Sequence, residues 1–294
     1  MKIIRHTNEI RENIRSYRKL FPEGSIAIVP TMGFLHAGHI ELIREARKIS
    51  DMVVVTIFVN RLQFNDVSDY TNYPSDENGD IKKCEKEGVD FIFAPSHDDV
   101  YGDTNPEIQI TIPYLTEYLC GKFRPGHFEG VLFIIIKLFN IINPDRAFFG
   151  KKDFQQYTVI KRMAEELSFP VKVIGVPTVR EGDGLAMSSR NARLSEKGRE
   201  HAGLIFRALK IIEKAFLEGR KDPDELIEIG KDVIESGSLN KVEYLNIVDP
   251  AGLHPIKNEQ ELSSFKHFVI AAGVFCDGIR LIDNLEVNLH NISL

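Results

Sequence analysis

Through the first three-fifths of the chain, apolar residues follow two rhythms in alternation. Short unbroken runs, "SIAIVP", "DMVVVTIFVN", "VDFIFAP", "DRAFFG" and "VKVIGVP", have the length and composition of strands. Between the first two, Ile40, Ile43, Ala46 and Ile49 recur at helical spacing, with Glu41, Arg44, Glu45 and Arg47 mostly off that stripe. Val159, Ile160, Met163, Ala164 and Leu167 mark another helix between the last two runs. Alternation of this kind predicts crossover units on a doubly wound parallel sheet, an α/β architecture. After "VPTVREGDG" the order changes, and helices come first. Leu204, Ile205, Ala208, Leu209, Ile212 and Phe216 form a long helical stripe, and "PDELIEIGKDVIES" reads as a second helix with Pro223 near its start. "KVEYLNIV", "HFVIAAGVF" and the short "IRLIDN" then read as strands. The pattern predicts a smaller C-terminal α+β domain, with residues 1–180 in the first domain and 181–294 in the second.

Composition narrows the function classes. With 43% hydrophobic and 27% charged residues among 294, the chain is an ordinary globular one with enough length for a sizeable core. A net charge of -6 supplies no general basic footprint for nucleic acid or an anionic membrane, so phosphate chemistry requires a local pocket. Cys84, Cys120 and Cys276 are scattered and form no CxxC pair, which points to reduced, mostly buried thiols rather than a disulfide framework or zinc site. "MKIIRHTNEIRENIRSYRK" lacks the apolar centre of a signal peptide, and "VLFIIIKLFNII" is broken by Lys137 and Asn140 and too short to span a bilayer. A cytoplasmic enzyme or binding protein is expected.

Candidate chemistry gathers where predicted strands end and helices begin, the place where a parallel sheet collects ligands and helix N–H groups meet phosphate. His36 and His39, flanked by Gly33 and Gly38, stand at the first such seam. Imidazoles there can donate to phosphate oxygens as charge builds on an attacked phosphorus. The alternative is one helix-capping histidine and one satisfied core histidine, and no third ligand at a useful spacing supports zinc. Asn60 and Gln63 in "FVNRLQF" offer neutral amides for hydroxyls or a carboxylate, or simply make a polar loop. In "GKKDFQQ" Lys152 is a point charge suited to phosphate, with Asp153 near the helix start; a capping aspartate beside a solvated lysine is the other reading. "MSSRN" clusters two hydroxyls with Arg190, or is a polar turn. In "RPGHF", Arg124 and His127 either face a substrate or satisfy a turn and helix end, the structural role being read first.

Taken in order, "PTMGFLHAGH", "IFVNRLQF", "CGKFRPGHFEGV", "KLFNIINPDRAFFGKKDFQQ" and "VPTVREGDGLAMSSRN" resemble the motifs of the pantothenate synthetases, or pantoate–β-alanine ligases, over essentially the whole chain. HxGH alone would indicate only the wider group of nucleotidyltransferases and class I aminoacyl-tRNA synthetases. The resemblance implies a Rossmann-like core and an enzyme that condenses (R)-pantoate with β-alanine, using ATP and Mg²⁺, through pantoyl adenylate. It also implies a homodimer. By the same likeness the ATP site comprises Pro30, Thr31, Met32, Gly33, Phe34, Leu35, His36, Ala37, Gly38 and His39. Gly150, Lys151, Lys152 and Asp153 join it, as do Val179, Met187, Ser188, Ser189 and Arg190. His39 matches the residue usually assigned as proton donor and His36 a triphosphate-binding one; we read both as electrostatic stabilisers. Lys152, Ser188, Ser189 and Arg190 are implied to grip phosphates, Gln63 and Gln156, with Asn60, to hold pantoate or β-alanine, and Asp80 to lie near the metal.

Three positions depart from that pattern. Arg61 stands where the family usually has proline, freeing a backbone N–H and adding a cation. Ala37 and Lys151 replace residues that are commonly acidic, and both changes make the nucleotide pocket more positive. Two competing readings follow from the motifs: a nucleotidyltransferase whose acceptor is a phosphate, and a nucleotide-binding regulatory module without catalysis. The amides at Gln63 and Gln156 favour a small hydroxyl-bearing acid over the first, and the retained set from His36 to Arg190 argues against the second.

Overall fold

A computed structural model describes residues 1–102 and 106–289, which divide into two compact units. The first contains residues 1–112, 124–151 and 156–177; the second contains 113–123, 152–155 and the remainder from Thr178.

Six parallel strands build the first unit: β1 (Lys2–Ile4), β2 (Ile26–Thr31), β3 (Met52–Ile57), β4 (Phe91–Phe93), β5 (Arg146–Gly150) and β6 (Lys172–Val176). Their order across the sheet is β1-β4-β3-β2-β5-β6. The chain therefore winds one way from β2 through β3 to β4, and the other way through β5 to β6. That reversal makes β2 and β5 flank the switch point at which doubly wound sheets bind ligands. The five expected runs all form strands; β1 has only three residues and pairs with β4 from the edge, too short to show in the pattern.

Strands β2 and β3 are apolar up to their carboxyl ends, where Thr31 and Thr56 stand, because helices cover a parallel sheet on both faces. Ala27, Val29, Val53 and Val55 point to one face, where Leu42, Ile43 and Ala46 of the helix Ala37–Ile49 pack on them. Ile49, expected on that stripe, is 51% exposed, and Leu42 takes its place. Leu167 is likewise exposed, just beyond the end of the helix Phe154–Glu166. The helix His127–Ile142 is buried over most of its surface, which explains why "VLFIIIKLFNII" is so largely apolar without being a membrane span. No helix among the described residues is long and apolar enough to cross a membrane.

The second unit carries an antiparallel sheet of β7 (Asn240–Val248), β8 (His267–Cys276) and β9 (Ile279–Asn288). "IRLIDN" thus belongs to a ten-residue strand. The helices Glu196–Leu217 and Pro223–Glu235 bury Ile205, Leu209, Ile212, Phe216, Leu226 and Ile234 against it. Phe216 meets Phe268 edge to face at 4.8 Å. All three cysteines are buried and unpaired with one another, and burial pushes the Cys84 thiol up to about 12.

One close approach in the first unit fixes the turn Arg61–Gln63. Gly130, in the His127–Ile142 helix, faces the turn Arg61–Gln63 so tightly that a Cβ would lie 2.3 Å from the Leu62 carbonyl oxygen. The clash is with backbone, so no rotamer change relieves it. Gly130→Ala is expected to lower stability by about 1–3 kcal/mol despite the better helix propensity of alanine. Chemical denaturation checks this, and an unchanged midpoint would show that the turn yields freely.

Candidate active site

The turn after β2 is organised by hydrogen bonds to its own backbone. Thr31 ends the strand with its hydroxyl donating to the Thr56 carbonyl at 2.7 Å and accepting from the Gly33 N–H at 3.2 Å. Gly33 and Phe34 both take positive φ, 84° and 51°, a reversal that glycine makes without cost and phenylalanine does not. The next two amides, of Phe34 and Leu35, donate to Asp80 Oδ2 and Oδ1, each at 2.7 Å. Asp80 is 1% exposed, in the first turn of the helix Glu77–Lys86, with Lys83 Nζ 3.6 Å from Oδ1.

His36 then caps the helix Ala37–Ile49. Its Nδ1 accepts from the Gly38 N–H at 3.1 Å, while Nδ1 of His39 accepts from the His36 N–H at 3.3 Å, a reciprocal capping box. The two rings lie with centroids 4.0 Å apart and planes 33° from parallel. The expected seam between strand and helix is therefore real, and both histidines share the cap.

Three residues past β3, Asn60 opens the turn that carries Gln63. Asn60 is 1% exposed and its amide is fully engaged inside the fold. Nδ2 donates to the Gly130 carbonyl at 3.0 Å and to Gln63 Oε1 at 3.2 Å, and Oδ1 accepts from Tyr101 Oη at 2.8 Å. Gln63 Nε2 in turn lies 3.0 Å from Met32 Sδ, which brings the β2 and β3 ends together. The Gln63 carbonyl accepts from Arg124 Nη2 at 3.2 Å and from His127 Nδ1 at 2.7 Å. His127 is thus structural, though not as a cap: Gly126 holds the N-cap position. Arg61 begins the turn with its side chain exposed. Gly150 ends β5 beside the switch point and Lys151 follows it, and Gln156 is half-buried in the first turn of Phe154–Glu166.

The remaining candidates sit in the second unit. Lys152 is largely buried, with Nζ 3.7 Å from Asp153 Oδ1 and its carbonyl accepting from Asn284 Nδ2 at 2.8 Å. Ser188 caps the short 3₁₀ turn Ser189–Arg193 through the Arg190 N–H, and the Met187 N–H reaches the Val179 carbonyl at 3.0 Å. Behind this loop Arg180 forks onto Asp283 at 2.6 and 3.0 Å and also donates to the Asn284 and Gly184 carbonyls. Burial pushes the Asp283 carboxyl up against the opposing pull of that guanidinium. Asp283 and Asn284 lie outside the motifs, and Arg180 lies within "VPTVREGDGLAMSSRN" but is given no role by it. The signal for them is an aspartate and an asparagine side by side between Ile282 and Leu285 in the middle of a strand, where buried polar side chains need partners.

Among the described residues, no group of three or more His, Cys, Asp or Glu side chains could hold a metal ion. In the first unit the candidate side chains at the strand ends are imidazoles and neutral amides, and those of the second unit include the cations Lys152 and Arg190.

The family model for pantoate-beta-alanine ligase matches residues 2–286. The pantothenate synthetase of Leptospira biflexa is 47% identical over 260 residues, covering 88% of this chain and 90% of that one. That of Leptospira interrogans is 43% identical over 291 residues, covering 98% and 99%. The crystal structure of the Thermus thermophilus pantothenate synthetase superposes with a TM-score of 0.89 at 37% identity, covering 98% of this chain and all of that one. The Francisella tularensis pantoate-beta-alanine ligase, solved in complex with β,γ ATP and β-alanine, superposes with a TM-score of 0.78 at 32% identity, covering 97% of each. The chain belongs to the pantoate–β-alanine ligase family.

Proposed function

We propose that the chain joins (R)-pantoate to β-alanine in two steps, using ATP. A free carboxylate is a poor acyl donor. The pantoate carboxylate therefore first attacks the α-phosphorus, expelling pyrophosphate and leaving pantoyl adenylate; the β-alanine amine then attacks the activated carbonyl, losing a proton as AMP departs.

The observation that carries this reading is the reciprocal cap of His36 and His39. A backbone N–H can only donate, so Nδ1 of each ring accepts, and a neutral ring then bears its proton on Nε2. Capping and phosphate binding thus use different nitrogens, and the two readings of HxGH are compatible. Both rings act as preorganised Nε2–H donors to phosphate oxygens as charge develops. Gln63, held by Asn60 through its side chain and by Arg124 and His127 through its carbonyl, binds pantoate with an amide that adds no charge. Gln156 is its proposed counterpart, and Asn60 acts by orienting Gln63. Lys152, Ser188, Ser189 and Arg190 are assigned to the phosphates, with Pro30–His39, Gly150–Asp153, Val179 and Met187 lining the nucleotide site. Among the described residues no cluster of three or more His, Cys, Asp or Glu side chains fits a metal ion, so the Mg²⁺ of this family is assigned to the phosphates and water that accompany ATP. A homodimer and a cytoplasmic location complete the proposal, both carried over from the resemblance.

Labelled pyrophosphate should exchange into ATP when pantoate is present and β-alanine absent. Exchange that ignores pantoate, or none from folded ATP-binding protein, would sink the adenylate route. His39→Ala should keep the fold and lower exchange by about 10²-fold or more, in line with loss of one preorganised donor. Imidazole ¹⁵N spectra at neutral pH should show both rings protonated at Nε2 and bare at Nδ1; the opposite tautomer in either ring would remove the stated role.

A further inference from the structure

The acidic residue that the family resemblance places near the metal has a different surrounding here. Asp80 is 1% exposed, and its two oxygens are each 2.7 Å from consecutive backbone N–H groups, of Phe34 and Leu35. Those lengths are at the short, charge-assisted end of N–H···O bonds. The carboxylate also fills the space beneath the turn: a Cβ on Gly33 would come 3.2 Å from Oδ2 and 3.1 Å from Ile57 Cγ2. Lys83, one helical turn on, stands 3.6 Å from Oδ1 and offsets the buried charge. A Mg²⁺ ligand needs an oxygen open to a hydrated ion, and Mg²⁺ gives up its water reluctantly. Asp80 instead occupies, from inside the fold, the anion position that the two converging amides create.

We infer that Asp80 is a positioning residue for adenylation and not a metal ligand. Its carboxylate draws Phe34 and Leu35 inward, which sets the residue preceding the His36 cap and so the direction of both imidazoles. With those amides committed to an internal anion, the phosphates of ATP are left to the imidazole Nε2–H groups. The inference rests on the role proposed above for the two histidines.

The test is Asp80→Asn, which keeps the size but turns an NH₂ toward one of the two N–H donors. Thermal melting and circular dichroism establish that it folds. Pantoate-dependent exchange is then measured across a range of Mg²⁺ and ATP concentrations. The maximal exchange rate should fall by about 10- to 100-fold, the effect of a small misplacement, while the apparent Mg²⁺ requirement stays within about twofold. Combined with His39→Ala, the loss should be far from additive, because both changes remove the same group's action. An unchanged maximal rate, or a Mg²⁺ requirement raised about tenfold with the rate restored at saturation, would overturn the inference. Should Asp80→Asn not fold, Asp80→Glu keeps the charge but displaces the carboxylate oxygens by one methylene from the Phe34 and Leu35 amides. It should give the same loss of rate at unchanged Mg²⁺ requirement, and full activity would count against the role. If wild-type protein shows no exchange at all, the proposed function fails by itself. The imidazole ¹⁵N spectra of Asp80→Asn then decide: loss of the bare Nδ1 signals supports positioning, and spectra identical to wild type refute it.

Discussion

The turn between β2 and the following helix must bury a run of backbone N–H groups where no strand or helix pairs them. Leaving each one unsatisfied would cost about 1–3 kcal/mol. The chain meets the demand from within: a threonine hydroxyl for Gly33, one carboxylate for Phe34 and Leu35, and an imidazole nitrogen each for His36 and Gly38. These pairings explain the motif residue by residue. Glycine is needed at position 33 for the positive φ and for the space the Asp80 carboxylate occupies. Histidine at 36 and 39 caps the helix with one ring nitrogen, Nδ1, and carries a second nitrogen on the same ring.

The same constraint recurs on the other strand ends. Asn60 gives up contact with solvent to hold Gln63, Tyr101 and the Gly130 carbonyl in one network, so the turn Arg61–Gln63 is set by its surroundings rather than by a proline. That accounts for how Arg61 is accommodated: its side chain points to solvent, and the turn keeps its shape through the Asn60 cap and the Gly130 approach. In the second unit Arg180 plays the corresponding part, joining β9 to the loop before Met187, while Asn284 holds the carbonyl of Lys152.

Strand runs and helical stripes were legible because a parallel sheet covered on both faces writes its core as unbroken apolar segments. What the pattern could not show was which of several apolar residues at a helix end is covered, as at Leu42 against Ile49, or a three-residue edge strand such as β1. The candidate site was legible as residue types at strand ends. The support beneath it was not. Asp80 lies 45 residues from Leu35 in sequence, and its partners are backbone amides, which leave no mark in side-chain identity. Asp283 and Arg180 are separated by 103 residues, and only the oddity of a carboxylate inside a strand hints at the pair.

The strand order also has a consequence for how the chain is made. β2 pairs with β3 as soon as residue 57 exists, but its other edge waits for β5, beginning at Arg146, and β1 waits for Phe91. At synthesis rates of roughly 5–20 residues per second, the central strand therefore spends several seconds outside the ribosome with one side open. An open, flat, apolar edge invites pairing with other chains. The nascent protein is most exposed to misassociation at the very strand that later presents the histidines, and any chaperone acting during translation would find its longest-lived target there.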